Sequence, residues 1–91
     1  MLTIWEYKLE MGESPKLIKM PFGAKILTIH SHKGDPHISA LVDLAQGDVV
    51  RQIEMHTSES AIPQIPDTKL EYIGILKFSV FFFHVFERVN L

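Results

Sequence analysis

Apolar side chains recur at every second position along most of this chain, and no segment carries them at the three-to-four spacing of a helix face. That period favours strands, because side chains on an extended backbone alternate between two faces. In LTIWEYKLE, Thr3, Trp5, Tyr7 and Leu9 share one face, with Glu6 and Lys8 opposite. After the MGESP break, KLIKM forms a short strand with Pro15 at its edge, where a missing N–H does least harm. Pro21 and Gly23 mark a turn in which glycine supplies a positive φ. The chain then runs extended from Ala24, with Leu27 and Ile29 inward and Ile26, Thr28, His30 and His32 outward. HISALVDL places Ile38, Ala40, Val42 and Leu44 on one face, and VVRQIEMH follows the AQGD turn. Residues 57–68 are irregular, since Pro63 and Pro66 forbid a regular helix through them. KLEYIGILKF and SVFFFHVFERV end the chain as two long strands turning near Ser79.

The expectation is an all-β fold: one domain over residues 1–91, a small, mostly antiparallel sandwich or partly open barrel of six to seven strands with little or no helix. A chain of 91 residues buries only about 60–65% of its unfolded surface, so its core is thin. With no cysteine, neither disulfides nor thiolate metal sites can reinforce it. Nine Lys and Arg against eleven Asp and Glu leave a net charge of −2 with no basic cluster, which argues against nucleic-acid binding. The longest apolar run, Val80 to Phe83, falls far short of the roughly 20 residues that a spanning helix requires. No membrane partner and a cytoplasmic location are therefore expected.

The segments TIWEYKL, IKMPFGAKIL, ALVDL, RQIEMHT, IP, LEYIG and FHVFE, in that order, resemble a family of small phage and prophage proteins of unknown function. The likeness runs from about Thr3 to Glu87, and MPFGAKIL, LEYIG and FHVFE are its most specific pieces. It implies a phage-associated protein acting inside a bacterium, and it implies no catalytic residues.

Within HSHKGDPH, His30 and His32 lie two apart, so on a strand both imidazoles share a face with Cα atoms about 7 Å apart. His37 or Asp35 could add a ligand from across the turn. The plainer reading is a hairpin, with Gly34 left-handed, Asp35 bonding the turn and the imidazoles solvated. No metal or other cofactor is expected. His84 interrupts an apolar strand and reads as a half-buried, hydrogen-bonded side chain. Glu6, Glu54, Glu71 and Glu87 read as outward, solvated carboxylates, and no nucleophile motif or phosphate-binding loop is present.

The final strand is apolar on both faces, with Phe81, Phe83 and Val85 on one and Val80, Phe82 and Phe86 on the other. A two-layer β domain buries one face of each strand, so the second needs a cover: the proline-containing loop, a barrel edge or another chain. Phe81, Phe83 and Val85 are the candidate interface residues. The leading functional reading is a non-enzymatic phage or prophage accessory protein that acts by binding a host or phage protein, with inhibition of a host defence system as one version, and that forms a homo-oligomer. A second reading is a small-molecule binder in which Trp5, Tyr7 and Tyr72 stack a nucleotide or metabolite. A third is a metal-dependent hydrolase using His30, His32 and His37.

Overall fold

Seven strands organise the chain in the computed structural model, which describes residues 1–10 and 15–91. They are β1 (Leu2–Lys8), β2 (Lys16–Pro21), β3 (Lys25–His32), β4 (Asp35–Asp43), β5 (Asp48–Thr57), β6 (Thr68–Phe78) and β7 (Phe81–Asn90). The break at Met11 to Ser14 lies outside the described residues. All pairings are antiparallel, in a three-stranded sheet of order β1-β4-β3 and a four-stranded sheet of order β2-β5-β7-β6. The architecture is thus the expected all-β one, settled as two layers rather than a closed barrel, and without helix among the described residues.

Alternation decides which side chains meet. Ile29, Ile38, Ala40 and Val42 of the three-stranded sheet cluster with Met20, Ile53, Met55, Leu76 and Val85 of the other. Gly74 lies against Ile29 of the other sheet: a Cβ there would lie 3.1 Å from Ile29 Cγ2, so glycine removes an atom that would push on that side chain.

The turns follow their residues. Lys33 and Gly34 both take positive φ in a two-residue connection between His32 and Asp35, as a primed hairpin turn requires. Asp35 and Pro36 therefore already belong to the returning strand, earlier than the sequence suggests. Gly23 takes φ 80° after Pro21, as expected. The final hairpin turns on Ser79 and Val80, and Ser79 carries a left-handed φ of 58°.

Two single-residue irregularities alter the simple parity. In β3, Ile26 pairs with Ala40 and Thr28 with Ser39, which leaves Leu27 as an extra residue. Strict alternation had placed Leu27 inward and Ile26 outward; the bulge reverses both, so Ile26 packs on the core and Leu27 is exposed. In β6, Tyr72 pairs with Phe86 and Gly74 with Val85, leaving Ile73 as the extra residue.

Candidate functional site

The chemistry of β7 divides along its length. At its C-terminal end Glu87 and Arg88 are adjacent, so they point to opposite faces of the sheet, and on β5 Arg51 and Glu54, three apart, do the same. Register then mates them: Ile53 lies opposite Glu87 and Gln52 opposite Arg88, which sets Arg51 diagonal to Glu87 and Glu54 diagonal to Arg88. Arg51 grips Glu87 through Nε and Nη2 on the inner face and gives Nη1 to the Ala24 carbonyl at 2.8 Å. Arg88 grips Glu54 on the outer face, and donates to the Thr68 hydroxyl at 3.0 Å and the Pro63 carbonyl at 2.9 Å. The proline-containing segment is thereby strapped across the outer face at this end. Hydrogen bonds from Arg88 hold the Glu54 carboxyl below its ordinary range against the opposing effect of desolvation, and His56 Nε2 at 2.9 Å adds to the lowering. Bonding to Glu87 raises the Arg51 guanidinium despite desolvation.

Among the described residues, the other end of the hairpin has no such cover. Val85 is fully buried within the chain and Phe83 is half-buried against the core, whereas Phe81 is 56% exposed. Of the three interface candidates, then, Val85 belongs to the subunit's own interior, because its position faces Met55 and Gly74 between the layers. The uncovered surface is the opposite row: Phe82 is 53% exposed, Ile75 52% and Tyr72 56%, and Val80 at the turn is exposed as well. Register makes this row continuous, since Phe82 faces Lys77, His84 faces Ile75 and Phe86 faces Tyr72. Tyr72 Oη meets His84 Nδ1 at 3.1 Å, the hydrogen-bonded state expected of that histidine, and packs edge-on against Phe86 with ring centres 5.2 Å apart. Lys77 Nζ stands 5.7 Å from the centre of the Phe82 ring.

The three stacking candidates are not brought together in one subunit. Tyr72 borders a cleft of about 360 Å³ with Arg51, Glu71, Glu87 and both bulge residues. Trp5 lines a separate cavity of about 340 Å³ beside Thr3, Asp43 and Leu44. Tyr7 packs against the core, and burial raises its phenol above the ordinary range, with Asp48 adding to the effect.

On the outer face of the three-stranded sheet, His30 lies opposite His37, with His32 two pairs further along, opposite Asp35. Glu6 accepts a hydrogen bond from the Ser39 hydroxyl at 2.8 Å and lies 3.6 Å from His30 Nε2. Among the described residues, no three His, Asp or Glu side chains are grouped so as to hold a metal ion. No helix of the described residues is long and apolar enough to cross a membrane.

A family model described as a domain of unknown function, DUF7352, matches residues 1–91. The chain belongs to the DUF7352 family. That description names neither phage nor prophage. No curated protein and no solved structure matches the chain.

Sequence reasoning about this DUF7352 domain missed the two arginine–glutamate pairs, having read Glu54 and Glu87 as solvated. Both carboxylates are buried. The opposed parities of ER at 87–88 and RQIE at 51–54 were visible, but the strand order that makes them neighbours was not.

Proposed function

We propose that the protein works by binding, without chemistry of its own, through the uncovered end of the β6–β7 hairpin. The observation that carries this reading is the exposed row Tyr72, Ile75 and Phe82 with Val80 and Phe81 at the tip. Apolar side chains left in water across the edge strand β6 and its neighbour β7 are a cost that a partner removes.

Area supports self-association as the first such contact. A folded monomer of 10.4 kDa exposes about 5,400 Å² on the size scaling of globular proteins, whereas this chain exposes 6125 Å². The excess, about 700 Å², is close to the roughly 800 Å² that each partner contributes to a standard interface. The resemblance of MPFGAKIL, LEYIG and FHVFE to phage and prophage proteins extends the reading to an accessory factor that engages a host or phage protein, with inhibition of a host defence system as one form.

Sedimentation velocity at high micromolar concentration is the first test. A dimer that falls apart in the double variant Ile75→Ser, Phe82→Ser is expected, and a strict wild-type monomer overturns the self-association. The wider role predicts a specific protein recovered from bacterial lysate by the wild type and lost with the same variant. Recovery of the bait alone, repeatedly, speaks against it.

A further inference from the structure

We infer that the outer face of the three-stranded sheet carries a transition-metal site, built on His37 and His32 at the β3–β4 turn and independent of the apolar surface. Three observations converge on it. First, His37 Nδ1 lies 3.0 Å from the Asp35 carbonyl oxygen. A carbonyl only accepts, so Nδ1 carries the proton and Nε2 keeps its lone pair. That is the arrangement in which metal-binding histidines are held, with the far ring N–H fixed by a backbone carbonyl or carboxylate.

Second, the ring spacing fits one ion. An imidazole nitrogen bonded at about 2.1 Å puts its ring centre about 3.2 Å from the metal, so two rings at a tetrahedral angle have centres about 5.2 Å apart. His32 and His37 stand at 5.4 Å. Third, His30 is the neighbour on the other side of His37, with ring centres 6.1 Å apart. It leans toward Glu6, whose Oε2 also takes the Ser39 hydroxyl bond.

The pair offers two nitrogen ligands, His37 through Nε2 and His32 through one of its ring nitrogens. Water fills the remaining positions, since His30 is turned toward Glu6. Asp35 is not counted, because its carboxylate lies 3.6 Å from Lys8 Nζ. Imidazole nitrogens on a flat exposed sheet favour borderline divalent ions such as Cu²⁺, Ni²⁺ and Zn²⁺ over Mg²⁺ or Ca²⁺.

Calorimetric titration of untagged protein with CuCl₂ and ZnCl₂ tests the site. One ion per chain is expected, with His37→Ala and His32→Ala each weakening binding by about tenfold or more. His84→Ala, on the other sheet, leaves it unchanged. The Cu²⁺ complex should show at least two equatorial nitrogens by electron paramagnetic resonance. The three histidines lie on exposed or half-exposed strand positions, so far-UV circular dichroism should be the same for every variant. No stoichiometric binding to the wild type, or equal binding by the doubly substituted His32→Ala, His37→Ala protein, overturns the inference.

Discussion

The two ends of the β6–β7 hairpin are built from the same pair of strands and solve the same problem differently. Both present an outer face that the opposing sheet cannot reach. At the end near Arg88 the chain supplies its own cover, because the guanidinium binds Glu54 below and the Pro63 carbonyl above. Near Phe82 nothing among the described residues reaches across, and aromatic and aliphatic side chains remain half in water. Closing a face with an internal loop takes polar anchors that hold the loop's carbonyls. Lacking such anchors, the tip is left for an external surface.

The contrast can be broken most forcefully at the base. Arg51→Met leaves the Glu87 carboxylate buried without a partner and should cost about 4 kcal/mol in urea unfolding, most of it recovered by adding Glu87→Leu. Leu76→Ala, on the inward row of the same hairpin, should cost about 3 kcal/mol through the cavity it opens. Acid sharpens the picture of Glu54. Its carboxyl titrates lower in the folded than in the unfolded chain, so its contribution is complete above the ordinary glutamate value of about 4.3 and drains away as pH falls through the depressed native value. Stability measured between pH 6 and pH 2 should therefore decline less steeply in Glu54→Gln, from a lower starting point.

Smaller effects belong to the tip. Ser79→Gly relieves a left-handed residue and should raise stability by under about 1 kcal/mol, read from the same urea curves. Phe82→Ser should change the unfolding free energy of the isolated subunit by no more than about 0.5 kcal/mol, while abolishing self-association in sedimentation. Equal losses from Leu76→Ala and Phe82→Ser would erase the distinction between the two rows.

Strand existence was legible because period two is a local property, and each expected strand from LTIWEYKLE to SVFFFHVFERV is present. The left-handed Gly23 and Gly34 were legible for the same reason. Facing was less so: one unpaired residue in β3 suffices to exchange the positions of Ile26 and Leu27, and nothing in LTIH announces it. The apolar surplus of the last strand was visible, yet it was assigned to the row of Phe81, Phe83 and Val85, which the second sheet partly covers, rather than to that of Phe82. Choosing between those rows requires knowing which side of β7 meets the other layer, and that is fixed by partners far away in sequence. The ionic base was hidden on the same grounds, since Arg51 and Glu87 are 36 residues apart.

The bulges at Leu27 and Ile73 also mark where this fold can tolerate a change of length. Deleting any other residue within a paired strand would slide half of that strand onto the wrong side, whereas excising either of these two leaves every remaining partner where it was. Comparison with other members of the family should accordingly find one-residue gaps gathered at these two points, inside strands where gaps are otherwise scarce.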